Sequence, residues 1–341
     1  MSNFKLCLNA STIMTTDIMT QIDVAQTSGF EAIELWFDHI DAFVNEGRGS
    51  VTDVRKALDD NGLAVPTCIY LGDWFDSEGD AFIDAWDEIK RRIEIAAVVG
   101  APHVIAGPPS GTASYDTGAA RYRELLELGN QFGVKPAMEF LGFVGQLNTI
   151  EDAMQIMDKS RRNDATTVLD PFHIFRGGGD LESISKLTGS QIAVSHFNDV
   201  PAEPPREAQH DKDRVWPGDG IFDLQRYLQL ITETGYEGYL SLELFREDHW
   251  ADNPYDVASE GYNNVILAIT DETVSSTKRG RGICSRYYYL STQVILYSAI
   301  DKTILKVVPL TKVRPYADET INGKCSNSSI QQSITYERSH R

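Results

Sequence analysis

The first 270 residues alternate short apolar runs with helical segments, and this alternation limits the folds that the chain can adopt. The runs are apolar throughout rather than alternating, as expected of parallel strands that are buried on both faces. Eight such units predict an α/β fold, a single (β/α)8 TIM barrel over residues 1–270. A doubly wound sheet is the alternative, but no GxGxxG sequence follows the first run. The predicted strands are residues 4–8, 32–36, 64–70, 103–106, 136–139, 166–170, 192–197 and 239–243.

Residues 271–341 break this rhythm and change the sign of the charge. The whole chain has a net charge of −19, but this segment holds 11 Lys and Arg against 6 Asp and Glu, a net +5, which leaves −24 on residues 1–270. Two runs, 286–289 and 294–297, could form strands. We predict a basic C-terminal extension that is disordered or loosely attached and contributes nothing to the active site. An arm that holds a homo-oligomer together is the alternative.

Composition excludes several classes of partner. A net charge of −19 lacks the basic face that nucleic-acid binding requires, so no nucleic acid is expected. No run approaches the roughly 20 apolar residues of a membrane span, and the N-terminal residues have no signal-peptide pattern, so no membrane partner is expected. The four cysteines form no CxxC pair, which argues against a thiolate metal site and favours a reducing, cytoplasmic location.

Polar side chains occur at the carboxyl ends of the last four predicted strands. They are Glu139, Asp170, His196 and Glu243. In a (β/α)8 barrel these ends meet at one rim, where active sites lie. Three carboxylates in one small volume repel each other unless a cation compensates them. The sequence therefore predicts one divalent metal ion; Mn²⁺ is the expected ion for oxygen ligands with one imidazole, and Zn²⁺, Co²⁺ or Mg²⁺ are alternatives.

Six motifs carry a family resemblance over about residues 4–270. The motifs are FKLCLN (4–9), AMEFLG (137–142), VLDPFH (168–173), SHFND (195–199), DRVWPG (213–218) and LSLELFR (240–246). In these motifs the chain resembles the xylose-isomerase-like sugar isomerase and epimerase barrels. Within that family it is most similar to the branch that isomerises inososes, the keto-inositols, and the last two motifs point to that branch.

The resemblance implies roles for individual residues. It makes Glu139, Asp170, His196 and Glu243 the metal ligands, with His173 contacting substrate beside the ion. Two differences between this sequence and its relatives narrow the range of possible substrates and activities. Ketohexose 3-epimerases carry a Glu and an Arg where residues 142–145 and 200–202 here read GFVG and VPA, which argues against a free ketohexose. The DNA-repair endonucleases of this fold need a larger ligand set than this chain offers.

The reaction expected from the resemblance is abstraction of a proton α to the carbonyl of a keto-cyclitol or keto-sugar. The ion would act as a Lewis acid, and Glu139 and Glu243 would shuttle the proton through an enediolate. If the substrate carries a leaving group β to the carbanion, the same proton abstraction would lead instead to elimination. The protein would then be a lyase of the 3-dehydroshikimate dehydratase or 3-keto-glycoside eliminase type. A metal-bearing barrel that only binds a sugar or a partner is a third alternative.

Substrate contacts are predicted from residues near the rim. Trp36 and Tyr70 are expected to stack on a sugar or cyclitol, although the aromatic group around them could instead cap the barrel. Arg214 and Trp216 are also expected to contact substrate. Asp199 could orient His196 by a hydrogen bond or could be an exposed loop acid. The wider aromatic group comprises Trp36, Phe37, His39, Tyr70, Trp74 and Phe75, and the glycines at 177–179 are a weak phosphate-binding signal.

Overall fold

The computed structural model describes residues 4–270 and the three segments 286–290, 293–297 and 304–309. Within residues 4–270, eight parallel strands close into a barrel in the order β1 to β8, with β8 pairing back onto β1. The predicted (β/α)8 fold is confirmed. The strands are β1 (Lys5–Asn9), β2 (Ala32–Trp36), β3 (Thr67–Leu71), β4 (His103–Ala106), β5 (Lys135–Met138), β6 (Thr166–Leu169), β7 (Ile192–Phe197) and β8 (Tyr239–Leu242).

Within residues 4–270, ten α-helices lie on the outside of the barrel or within its connecting loops. Three of them were not predicted: α2 (Phe37–Asn45), α7 (Pro171–Gly177) and α9 (Glu247–Ala251). Among the described residues, no helix is both long and apolar enough to span a membrane. The helices are α1 (Ile18–Thr27), α2 (Phe37–Asn45), α3 (Val51–Asp60), α4 (Gly79–Val99), α5 (Tyr115–Asn130), α6 (Ile150–Ser160), α7 (Pro171–Gly177), α8 (Leu224–Glu233), α9 (Glu247–Ala251) and α10 (Pro254–Thr270).

Local sequence explains where these helices begin and end. Ser50 and Thr149 each form a capping box with the Asp three residues later, which satisfies free backbone N–H groups at the starts of α3 and α6. Gly100 ends α4 in the left-handed region, with a φ of 83°. β3 begins at Thr67, three residues later than predicted, directly after Pro66, which has no N–H to donate to the sheet.

The interior of the barrel is divided by polarity. An apolar cluster from β3 to β7 fills one side: Ile69, Ile105, Ala137, Val168, Ala193 and Val194. The other side carries buried polar residues on β8, β1, β2 and β3, namely Ser241, Asn9, Glu34 and Thr67. Glu243, which directly follows β8, accepts a hydrogen bond from Asn9 at 2.9 Å, so this polar side reaches the rim.

The C-terminal extension contains three described strands, β9 (Arg286–Leu290), β10 (Gln293–Tyr297) and β11 (Ile304–Pro309). They form an antiparallel sheet in the order β11, β10, β9. The first two correspond to the predicted runs, and the third was not predicted. The chain divides into two compact units, Met1–Ser275 and Ser276–Arg341. The other residues of the extension, and with them the prediction of disorder, lie outside the described residues.

Candidate metal centre

The four candidate ligands of the sequence meet at the carboxyl-terminal rim of the barrel. Nδ1 of His196 lies 2.9 Å from Oε2 of Glu243, 3.5 Å from Oδ2 of Asp170 and 3.7 Å from Oε1 of Glu139. Ligand atoms of Asp170, His196 and Glu243 all lie within 4.8 Å of one another. The geometry therefore brings together an imidazole and three carboxylates from adjacent strands.

Asp170 is oriented by the start of α7. It is the residue before Pro171, and its Oδ1 accepts hydrogen bonds from the backbone N–H of Phe172 at 2.7 Å and of His173 at 3.3 Å. The side chain of Asn198 donates to the same oxygen at 3.1 Å. These donors occupy Oδ1, so Oδ2 is the oxygen that faces the cluster.

The carboxylates shift each other's ionisation. Burial, reinforced by Glu243 and Asp170 and partly offset by His196, raises the pKa of Glu139 to about 8. Burial disfavours the charged form of His196, but the carboxylates of Glu243 and Glu34 outweigh it and raise the pKa well above its ordinary value. Burial would raise the pKa of Asp170 as well, yet the Arg214 guanidinium holds it well below its usual range.

These residues fit a divalent cation. Oδ2 of Asp170 and both ring nitrogens of His196 are buried, and none of the three makes an aligned hydrogen bond. Polar atoms in that condition are destabilising unless another partner satisfies them. Carboxylate oxygens with one imidazole nitrogen suit Mn²⁺, Zn²⁺, Co²⁺ or Mg²⁺. Glu139, Asp170, His196 and Glu243 are therefore the residues that could hold the ion.

Arg214 is buried against this cluster. Its guanidinium lies 2.7 Å from Oε2 of Glu243, 3.1 Å from Oδ2 of Asp170 and 2.9 Å from Oδ1 of Asp211. It is the cation that partly compensates the carboxylates. Arg214 also borders the candidate pocket, as expected of a substrate contact, but its charge is already shared among three acids.

His173 lies between Arg214 and the loop that follows β5. The backbone N–H of Gly142 donates to its Nδ1 at 3.2 Å. Burial lowers the pKa of His173 to about 4, although Asp170 opposes this effect. The ring is therefore neutral at pH 7, with its proton on Nε2, which lies 3.0 Å from Nη2 of Arg214. Nη2 of Arg214 already has carboxylate acceptors in Asp170 and Asp211. Of these two donors, only the Nε2–H group of His173 lacks an acceptor among the described residues.

A pocket of about 240 Å³ opens above the candidate ligands. Four predicted substrate contacts line it: His173, Arg214, Trp36 and Tyr70. The indole N–H of Trp36 donates to Oδ1 of Asn9 at 3.0 Å, and Tyr70 is 44% exposed. Apolar and aromatic side chains make up most of the other walls, and these include Ile69, Ile105, Leu141, Phe143 and Phe245.

The structure corrects the expectation for Trp216. Its ring is buried in the hydrophobic core, stacks on His249 with centroids 4.5 Å apart, and faces Gly261 of α10, outside the lining of the pocket. Its position two residues after Arg214 therefore does not bring Trp216 into the site.

Other members of the aromatic group also serve packing. Phe37, Trp74 and Phe75 are buried in the hydrophobic core, and the Trp74 indole donates to the carbonyl of Gly107 at 2.8 Å. The alternative that aromatic residues cap the barrel therefore applies to these three.

Asp199 does not orient His196. Its carboxylate accepts hydrogen bonds from backbone N–H groups of the loop after β7, at 2.8 to 3.1 Å. It organises that loop, which carries Arg214. The four donors are Val200, Gly218, Gly220 and Phe222.

The residue that faces the other nitrogen of His196 is Glu34, which sequence reasoning missed. Its Oε2 lies 3.3 Å from Nε2 of His196, and its side chain is fully buried in the middle of β2. Burial alone would raise the pKa of Glu34, but His196 and the hydroxyl donors Ser241 and Thr67 hold it below its ordinary value. The available signal was an acid at the centre of an otherwise apolar strand.

The glycines at 177–179 serve packing and chain reversal. A Cβ on Gly177 would lie 1.8 Å from the carbonyl oxygen of Asn148, and Gly178 ends α7 with a φ of 76°. These contacts hold α7 against the loop after β5, so the glycines have a structural explanation that needs no phosphate.

Comparison with known proteins finds relatives with two different enzymatic activities. An inosose isomerase of Halalkalibacterium halodurans is 27% identical over 281 residues, which cover 80% of this chain and 96% of the relative. A 3-dehydroshikimate dehydratase of Pseudomonas aeruginosa is 25% identical over 236 residues, which cover 67% of this chain and 36% of the relative.

The fold has a solved counterpart in a crystal structure of the IolI protein with a bound zinc atom. The TM-score is 0.73 at 23% identity, and the match covers 80% of this chain and all of that one. A sequence profile of the xylose isomerase-like TIM barrel family matches residues 22–263. The chain belongs to the xylose isomerase-like TIM barrel family.

Proposed function

We propose that the protein is an isomerase or epimerase of a neutral keto-cyclitol or keto-sugar of the inosose type, and that it depends on one divalent metal ion. One observation carries the proposal: three of the four candidate ligands, Glu139, His196 and Glu243, line a small pocket in which the guanidinium of Arg214 is already paired with acids. The inosose isomerase relative, matched over nearly its whole length, supports the same substrate class.

The charge of the pocket favours a neutral substrate. A carboxylate such as that of 3-dehydroshikimate would need a cation free to pair with it. Arg214 contacts Asp170, Glu243 and Asp211, so its charge is not free to pair with an anion. The aromatic walls offer surfaces that suit the C–H face of a polyol ring.

The chemistry would be divided among the residues of the rim. When bound, the ion would act as a Lewis acid on a ketone and its neighbouring hydroxyl; Mn²⁺ is our first expectation, and the zinc of the IolI structure makes Zn²⁺ the next. Glu139 or Glu243 would remove the proton from the hydroxyl-bearing carbon beside the ketone. Return of a proton to the former carbonyl carbon, with transfer of the hydroxyl proton between the two oxygens, completes an isomerisation.

His173 and Arg214 would hold the oxygens of the substrate during this transfer. Both residues line the pocket, where the Nε2–H group of His173 would donate to an oxygen that gains negative charge. Return of the proton to the opposite face of the same carbon would give an epimer instead. The choice depends on how the ring is oriented against the aromatic walls.

A lyase reaction is the second candidate, and the dehydratase relative is the observation that favours it. The same proton abstraction followed by loss of a β-hydroxyl would give an unsaturated ketone and water. The dehydratase match covers only 36% of that relative, and the pocket lacks a free cation among its described lining residues. We therefore rank it second.

Proton NMR in deuterated water separates the two reactions. Metal-loaded protein would be incubated with 2-keto-myo-inositol, a 3-keto-glycoside and 3-dehydroshikimate in turn. We expect deuterium to enter the carbon beside the ketone of the keto-inositol while an isomeric ketone accumulates. An unsaturated product from 3-dehydroshikimate or the glycoside would establish a lyase, and absence of exchange with every substrate would refute both proposals.

A further inference from the structure

Glu34 occupies a position that the proposed reaction does not use. It faces the interior of the barrel at the centre of β2, where it is paired in register with Asn9 of β1, and its side chain is fully buried. Its carboxylate accepts from Nδ2 of Asn9 at 3.1 Å and from the hydroxyls of Thr67 and Ser241. Neighbouring strands on both sides therefore hold this carboxylate in one place.

A buried negative charge on Glu34 is unfavourable unless proton donors or a positive charge compensate it. Three other carboxylates already meet above it, and a fourth buried negative charge adds to their repulsion. Its hydroxyl and amide donors are neutral. The remaining group in reach is the imidazole of His196, whose Nε2 lies 3.3 Å from Oε2 of Glu34.

The two nitrogens of His196 thus face different surroundings. Nε2 faces Glu34, while Nδ1 faces Glu243, Asp170 and Glu139 at 2.9, 3.5 and 3.7 Å. A neutral imidazole carries one proton and offers one lone pair. A proton on Nε2 is stabilised by the carboxylate of Glu34, which leaves the lone pair on Nδ1, among the oxygens that could share a cation.

Asn9 connects Glu34 to a second candidate ligand. Its Nδ2 lies 3.1 Å from Oε2 of Glu34 and 2.9 Å from Oε1 of Glu243, so one amide bridges the two acids. Its Oδ1 accepts from the indole of Trp36 on the wall of the pocket. Glu34 therefore supports His196 directly and Glu243 through one amide group.

We propose that Glu34 is a positioning residue that makes Nδ1 of His196 the metal-binding nitrogen by holding the imidazole proton on Nε2. This inference rests on the metal site of the proposed function, but not on the reaction. Removal of such a supporting carboxylate commonly weakens metal binding by about 10- to 100-fold. The same range is expected here.

The first test measures metal affinity in Glu34→Gln. Glutamine keeps the shape of the side chain and an acceptor, and the hydroxyls of Thr67 and Ser241 can rotate to suit its amide. Binding of Co²⁺ would be followed by its visible absorption, with no substrate present. We expect a Kd about 10- to 100-fold higher than that of the wild type. Glu31→Gln is the matched control, because Glu31 is an exposed acid directly before the same strand.

The second test locates the imidazole proton of His196 in the wild-type protein. In Zn²⁺-loaded protein labelled with ¹⁵N-histidine, with His196→Gln used for assignment, we expect a proton on Nε2 and none on Nδ1. A proton on Nδ1, or a Kd within twofold of the wild type in folded Glu34→Gln, would overturn the proposal. Neither readout uses turnover, so a protein that binds metal as expected but isomerises nothing would refute the proposed function alone.

Discussion

The side chain of His173 illustrates how one backbone contact can assign a role. Because the N–H of Gly142 donates to Nδ1, the proton of the neutral ring must sit on Nε2, beside the pocket. The resemblance of the sequence implied contact with substrate, but it could not show which nitrogen would make it. That assignment depends on a loop contact between residues 31 positions apart.

We predict that His173→Asn retains metal but loses most activity. The Asn side chain can still accept from Gly142, but it has no equivalent of the Nε2–H group. Loss of a positioned proton donor lowers kcat/KM by about 100-fold or more. Metal content and turnover would be measured on the same sample, beside Asp170→Ala. Equal loss of metal in both variants would instead make His173 a ligand.

A second histidine predicts how stability depends on pH. His103 begins β4, and burial, with a smaller effect of Lys135, lowers its pKa from 6.5 to about 4. Between these values the unfolded chain binds a proton that the folded protein excludes, so stability falls as pH decreases from 6.5 to 4. The shift sets an upper limit of about 3 kcal/mol on this effect.

Urea unfolding at pH 7 and pH 4.5 would test this dependence in the wild type and in His103→Gln, with chelator present in all samples so that metal loss does not contribute. We expect the variant to lose less free energy of unfolding between the two pH values. An equal loss in both proteins would contradict the assignment.

The candidate ligands were predictable because strand ends in a barrel share one rim. Polar residues that end four apolar runs must lie close together once the barrel closes. Glu34 was not predicted because it lies within its strand, where an acid gives no sign of which distant side chain it meets. Trp216 was predicted incorrectly because sequence position does not determine the direction of a side chain in a loop.

Among the secondary-structure elements, the helical segments between strands were predicted, whereas the short helices α2, α7 and α9 were not. α4 runs for 21 residues and ends at Gly100, a glycine in the left-handed conformation that commonly ends helices. α7 has only seven residues and ends in glycines, so its sequence resembles a loop. Its position is instead determined by tertiary contacts with the loop after β5.

We predict that Gly177→Ala destabilises the protein and lowers its turnover. The added Cβ would overlap the carbonyl oxygen of Asn148, so α7, which carries His173, would have to move away. Overpacking of this kind costs about 1 to 3 kcal/mol. Gly111→Ala is the control, because a Cβ added at Gly111 would meet no atom of the described residues within 4 Å. Equal free energies of unfolding in the two variants would show that α7 tolerates the displacement.

At the scale of the whole molecule, the chain consists of a barrel and a separate C-terminal unit. The change of charge near residue 271 indicated the boundary, and the two compact units divide at Ser275. The strands β9 and β10 were suggested by apolar runs, whereas the role of the extension has no signal in the sequence. A barrel closed by β8 needs no further strand.

We predict that truncation after Thr270 leaves turnover and the melting temperature unchanged, because the described site lies wholly within residues 9–245. Size-exclusion chromatography would report the oligomeric state of both forms. Loss of a dimer, or insoluble protein, would show instead that the extension is an oligomerisation arm.

The central claim is that Glu139, Asp170, His196 and Glu243 hold one divalent ion. Elemental analysis of protein that has been loaded with Mn²⁺ and desalted tests it most directly, with activity measured on the same samples. We expect about one ion per chain in the wild type and almost none in Asp170→Ala or His196→Ala, which should also be inactive. Full activity in metal-free wild type, or an ion retained by His196→Ala, would contradict the claim.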